Sequence, residues 1–135
     1  MAWLGAVPKP PAGSKRAESP APTLSRAEQM KRSGVTPRMP PNPAPYLTAR
    51  LVEIGLTEAA GLGAAPLSWR EIMEWQRATG VELAPWEARL LRRLSVEYLA
   101  ESRRAELETC PPPWRTEPTQ AEMDAEEAAL RAVLG

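Results

Sequence analysis

The chain has 135 residues, room for one domain at most, with 43% apolar and 25% charged side chains, both ordinary for a globular protein. It has no histidine and one cysteine, Cys110. That removes the usual general base near neutral pH, the commonest transition-metal ligand, an internal disulfide and a zinc cluster, and it favours a reducing, cytosolic compartment. The net charge is zero, but residues 1–45 hold seven basic and two acidic side chains while residues 111–135 hold two and five, a gradient suited to electrostatic docking onto a partner or of one end on the other.

At the front, Met1 to Val7 is too short an apolar patch for a secretory signal, and Pro8, Pro10 and Pro11 interrupt it. No later run approaches the roughly 18 apolar residues of a spanning helix, so a soluble protein with no membrane role is expected. Ten of the 16 prolines lie before Tyr46, and residues 1–45 read as a basic, Pro-rich arm, extended or disordered, because they hold too little apolar surface to offset the entropy of ordering. Within it, Ser25 and Glu28 form a Ser-x-x-Glu capping box for a helix of about eight residues that Gly34 ends. Pro37, Pro40, Pro41, Pro43 and Pro45 then favour polyproline II. The arm is either a disordered tail or a strap around a neighbouring subunit.

Residues 46–110 read as a core of three helices. The first carries Leu47, Leu51 and Ile54 at helical spacing, with Gly55 as a stop. Leu56 to Ala60 are expected as a further short turn and Gly61 to Pro66 as a flexible connection, since the Lys-Ser/Thr and the spacing of a phosphate loop are missing. The second helix starts at Ser68, with Glu71 as reciprocal cap, and stops at the left-handed Gly80. Trp69, Ile72 and Met73 share its face, and Trp75 sits beside them. The third opens on Pro85 and runs from Trp86 to about Glu108, with Leu90, Leu91, Leu94, Tyr98 and Leu99 as its stripe, until Pro111 to Pro113 end it. The expected core is Leu51, Ile54, Trp69, Ile72, Trp86, Leu90, Leu94 and Tyr98. At this size the core is near the lower limit for folding alone, which leaves room for a partner or a homo-oligomer.

Residues 111–135 read as a Pro-rich linker and an acidic amphipathic helix. Thr119 and Glu122 form a capping box; Met123, Leu130, Val133 and Leu134 lie along one side, and Pro118 leaves the helix free to bind a partner. The whole is expected to be all-α: a small three-helix domain with an extended N-terminal arm and a C-terminal helix.

No catalytic, cofactor or metal site stands out. Glu71 with Glu74 and Glu97 with Glu101 are interspersed with arginines, the pattern of a solvated face. Cys110 lies at a helix C-terminus, where the dipole disfavours a thiolate. The pair of helices around Gly80 resembles a DNA-binding helix-turn-helix with Arg89, Arg92 and Arg93 near phosphates, and a small regulator is therefore one alternative. Against it, residues 46–110 hold eight basic and ten acidic side chains, and Glu87, Glu97 and Glu101 lie on the helix that would enter the groove. Nucleic acid is not the expected partner. Trp3 and Trp114, outside the helices, are the best candidates for contact with a partner, followed by Trp75, Leu130 and Leu134.

From Pro41 to Trp114 the sequence resembles a known family. The runs are Pro43-Ala44-Pro45-Tyr46-Leu47, Glu53-Ile54-Gly55-Leu56, Leu67-Ser68-Trp69-Arg70-Glu71-Ile72, Trp75, Thr79-Gly80, Pro85-Trp86-Glu87-Ala88, Leu94-Ser95-Val96-Glu97-Tyr98-Leu99 and Cys110-Pro111-Pro112-Pro113-Trp114. Together they are similar to phage and prophage tail assembly chaperones, chiefly the downstream part made by a frameshift. The resemblance implies a non-enzymatic protein of the bacterial host cytoplasm without cofactors. Its expected partners are the tape measure protein, whose long helical chain it keeps soluble, and tail tube subunits. The basic arm has no counterpart in the resemblance, and the chain opens at its own Met1 where the frameshift product continues an upstream domain. Both departures suit an alternative: a structural virion protein of tail or neck whose arm straps neighbouring subunits.

Overall fold

The computed structural model describes residues 1–18, 24–114 and 120–135. In chain order it forms α1 (Ala2–Gly5), a 3₁₀ turn (Lys15–Glu18), α2 (Arg26–Arg32), α3 (Pro45–Ile54), β1 (Thr57–Ala60), β2 (Gly63–Pro66), α4 (Trp69–Thr79), α5 (Pro85–Arg104) and α6 (Gln120–Leu134). The fold is mostly helical, but not purely so, because a two-stranded antiparallel sheet interrupts it. No helix among the described residues is long and apolar enough to cross a membrane.

The core sits where α3, α4 and α5 meet. Leu47 and Leu51 of α3, Leu67, Ile72 of α4 and Leu91 of α5 are buried together, with Ile54, Leu56, Leu83, Leu90 and Leu94 packed around them. Local signals start and stop these helices. The Ser68 hydroxyl accepts from the Glu71 N–H at 3.2 Å, and Gly80 closes α4 with φ +71, where a Cβ would be strained. Pro85 takes the first position of α5, and the Glu87 carboxylate accepts from the Ala84 N–H at 2.9 Å.

Residues 57–66, expected as a short turn and a flexible connection, form the hairpin instead. Thr57 pairs with Pro66 and Ala60 with Gly63, and Gly61 supplies a positive φ of +56 at the two-residue turn. Alanine-rich strands have little intrinsic preference for this geometry, so tertiary contacts must hold it. Ser95 of α5 supplies them. Its hydroxyl donates to the Leu56 carbonyl at 2.5 Å and accepts from the Leu67 N–H at 2.9 Å, pinning both ends of the hairpin. Leu56 is held at φ +60, a left-handed backbone that costs a leucine about 1 kcal/mol. The hairpin also changes a cap: the Ser68 N–H, expected to bond Glu71, donates to the Glu58 carboxylate at 3.1 Å.

Two tryptophans expected in the core are not there. Trp69 is 48% and Trp86 53% exposed. Trp69 opens α4 on the flank of the Ile72 stripe, and Trp86 lies in the first turn of α5, ahead of the part that packs. Tyr98 is half-buried and lines a shallow cleft beside Ala2 and Val7, not the central cluster.

At the front of the chain, expected as an extended arm, α1 and α2 lie against the end of α5. The Lys9 N–H donates to the Glu106 carbonyl at 2.7 Å and the Glu108 N–H to the Lys9 carbonyl at 3.1 Å. These contacts and Arg26 capture the carbonyls after Arg104, so α5 ends there and not near Glu108. Residues 35–44, which carry most of the second proline cluster, form no helix or strand. In α6 every residue is exposed, and Arg38 grips Glu122 at its head at 2.9 and 3.0 Å. The Thr119 cap and the Pro118 link lie outside the described residues.

The capping box of α2 is complete: Ser25 N–H donates to Glu28 at 2.8 Å, and the Ser25 hydroxyl accepts from the Glu28 N–H at 3.3 Å. The bonds from Ser25, aided by Arg32, hold the Glu28 carboxyl below its ordinary 4.5. A lowered carboxylate supports folding above its unfolded value, and the support is lost as pH falls through the lowered folded one. Accordingly, an NMR titration of Glu28 is expected to give a midpoint below 4.5, with the Ser25 amide shifting in step. A midpoint at or above the ordinary value would mean that the box does not hold in solution.

Candidate partner-binding surface

Three surfaces present aromatic or apolar side chains. The first is a clasp between the front of the chain and the end of α5. The Trp3 indole N–H donates to the Cys110 carbonyl at 2.8 Å, and its ring meets that of Trp114 edge to face, centroids 5.6 Å apart. The Arg26 guanidinium lies 4.6 Å from the Trp3 centroid and is only 7% exposed. It donates to the carbonyls of Trp3 (3.2 Å), Ala105 (2.5 Å) and Leu107 (2.7 Å). The negative end of the α5 dipole thus stands in for a carboxylate. Exposed ion pairs add little more: Lys9 to Glu106 at 3.0 Å and Arg16 to Glu108 at 2.7 Å. Trp3 and Trp114, the candidates for a partner, are here spent on one another and half-buried.

The second surface lies across α4 and α5. Trp69 and Met73, one turn apart, are 48% and 52% exposed, and Arg92 of α5 stacks its guanidinium 5.6 Å from the Trp69 centroid. Val96 follows Arg92 by one turn and is 37% exposed. Helical spacing places Arg70 and Arg77 beside Met73, Arg89 beside Arg92, and Arg93 beside Val96. Trp75 sits half-buried on the other flank of α4, and its indole N–H has no acceptor among the described residues.

The third surface is α6, where Leu130 and Leu134 are exposed beside Met123 and Val133. Its acidic residues, Glu122, Asp124, Glu126 and Glu127, border that stripe.

The same geometry bears on chemistry. Glu74 pairs with Arg77 and Glu101 with Arg104, which ties up one member of each carboxylate pair as an ion pair. The Cys110 thiol donates to the Pro111 carbonyl at 3.6 Å. Among the described residues, no three metal-ligating side chains come together. Exposed aromatic and apolar side chains of this kind suit contact with another macromolecule.

Two residues that organise the molecule escaped the sequence reading. Ser95 carried a signal: it is the polar member of the Leu91, Ser95, Tyr98 row, and a small hydroxyl on a buried stripe implies backbone partners. Arg26 carried none, since a cation in the first turn of a short helix looks solvated.

A family model described as phage tail assembly chaperone matches residues 23–100. The match runs from α2 through the hairpin into α5, leaving α1 and α6 outside it. It takes in the second proline cluster, so that part of the arm does have a counterpart in the family. No curated protein and no solved structure matches the chain.

Proposed function

The chain belongs to the phage tail assembly chaperone family, and on that premise we propose that it binds the tape measure protein and keeps that long helical chain soluble while tail tube subunits gather. The observation that carries this reading is exposed apolar surface on helices. Trp69 and Met73 on the body, and Leu130, Val133 and Leu134 on α6, face solvent, the condition of a protein that spends its working life against a partner. Of the residues named for partner contact, Leu130 and Leu134 are available as the chain stands. Trp3 and Trp114 must first leave their clasp, and Trp75 is half covered. The action is binding without catalysis, in the host cytoplasm before the tail is complete.

Mass spectrometry on two pools from particle-producing cells tests this. The tagged chain should bring down tape measure protein from lysate and be missing from finished particles. Fixed stoichiometry in the particles would instead make it a structural tail protein. The front of the chain speaks against the strap version of that reading, because in this fold it is bound to its own α5.

A further inference from the structure

The face across α4 and α5 presents exposed apolar side chains among arginines. Trp69, Met73 and Val96 make an apolar floor, each more than a third exposed. Arginines stand on both rims: Arg70 and Arg77 along α4, Arg89, Arg92 and Arg93 along α5. Arg77 has Glu74 as a partner. Arg70, Arg89, Arg92 and Arg93 form no ion pair with any described residue, and the Arg92 Nε is buried without an acceptor. Most arginines elsewhere have partners, Arg16, Arg26, Arg38, Arg50, Arg104 and Arg131 among them, while the exposed Arg32 forms no ion pair with any described residue. Unpaired cations gathered around an apolar floor define what fits there.

We propose that this face is the docking surface for the partner protein, and that its occupant is an amphipathic helix bearing glutamate or aspartate along both edges of its apolar stripe. Only the identity of the protein that carries the helix rests on the chaperone reading. A helix supplies a row of apolar side chains at the pitch of the floor, and acidic edges bring carboxylates to the rim arginines, where the planar guanidinium forks can bind them in pairs. Duplex DNA also attracts arginines, but it offers nothing to cover Trp69 and Met73, so the apolar floor favours the helix. The chain's own α6 is acidic and amphipathic too, yet its Glu122 is engaged by Arg38.

The test uses the full chain and two synthetic peptides of about 18 residues, five helical turns, with one leucine stripe flanked by glutamates in one and lysines in the other. The glutamate peptide should bind at least about tenfold tighter than the lysine peptide, a margin that shrinks with salt. Trp69→Ala should weaken both, and the pair Arg89→Glu with Arg93→Glu should reverse the preference. Circular dichroism melts keep these readings separate from unfolding, and Met73→Glu at a half-exposed site repeats the test of the floor without removing a tryptophan. Equal binding of both peptides, or binding indifferent to all these variants, overturns the proposal. Tight, salt-sensitive binding of duplex DNA with neither peptide bound overturns it in favour of a nucleic-acid surface. Peptide binding that emerges only when Leu130→Asp and Leu134→Asp disable α6 overturns it by naming α6 as the occupant.

Coexpressed tape measure protein separates the two readings. Capture by the wild type that survives the face variants refutes the face and leaves the chaperone reading standing. Glutamate-peptide binding at the face without capture of tape measure protein supports the face and refutes that choice of partner.

Discussion

Arg26→Met is expected to release the front of the chain from the end of α5. The guanidinium is almost fully buried and donates to three carbonyls, two of which belong to the segment that follows α5. Methionine fills a similar volume but leaves the Ala105 and Leu107 carbonyls without those donors and Trp3 without its stacking cation. Breaking such a buried polar cluster costs about 3 kcal/mol, on the scale of losing one partner of a buried ion pair. That corresponds to a roughly hundredfold rise in the open population. The loss should stay local, because the Leu47, Leu51, Leu67, Ile72 and Leu91 cluster contains none of these residues. Limited trypsin digestion should therefore speed up at Lys15 and Arg16 by a comparable factor while the helical melt of the remainder is retained. Arg26→Lys should recover only part of the protection, because an ammonium cannot spread a planar fork over three carbonyls. Unchanged cleavage rates in Arg26→Met would mean that the clasp owes its stability to the tryptophans and the Lys9 backbone bonds instead.

Ser95→Ala should lower the stability of the core itself, by about 2–3 kcal/mol. The hydroxyl is fully buried, so the Leu67 N–H loses its partner in a buried place and the Leu56 carbonyl loses its own in a partly buried one. The penalty is that of two stranded polar groups, larger than the net value of the bonds. For a domain of this size it should lower the melting temperature by roughly 10 °C. Hydrogen exchange gives the site-specific readout: the Leu67 amide should be protected in the wild type and exchange early in the variant. The hairpin should loosen first, since Ser95 pins both of its ends and Leu56 then keeps only its packing and its N–H bond to the Leu51 carbonyl. A melt within a degree or two of the wild type would show that relaxation or a trapped water replaces the hydroxyl.

These two residues mark where the sequence could and could not be read. Helix ends set by neighbouring residues were legible: Ser25 with Glu28, Ser68 before α4, Gly80 after it, Pro85 at the head of α5. Each signal acts within one helical turn, so its cause lies in a few adjacent letters. The spacing of Leu47, Leu51, Ile72 and Leu91 was legible for the same reason, as was the Trp and Pro-Trp-Glu punctuation that resembles the family. Trp69 and Trp86 misled because a tryptophan beside an apolar stripe has the right composition for a core and the wrong angle. A shift of a fraction of a turn moved Trp69 onto the flank, where it helps to form the proposed docking floor.

By itself, then, the sequence determined the main helices, the Gly55 and Gly80 stops, the starts at Ser68 and Pro85, and most of the apolar cluster, because propensity, capping and helical periodicity are local interactions. Only the tertiary structure decided that residues 57–66 form a hairpin, that α5 stops at Arg104, and that the basic front is clasped to its own chain. Each of those outcomes rests on a polar group reaching far along the chain, Ser95 to Leu56 across 39 residues and Arg26 to Ala105 across 79. A lone hydroxyl or guanidinium gives no sign in its own neighbourhood of which distant carbonyl it will meet; burial makes that choice when the helices pack, since there an unpaired donor is too costly to leave.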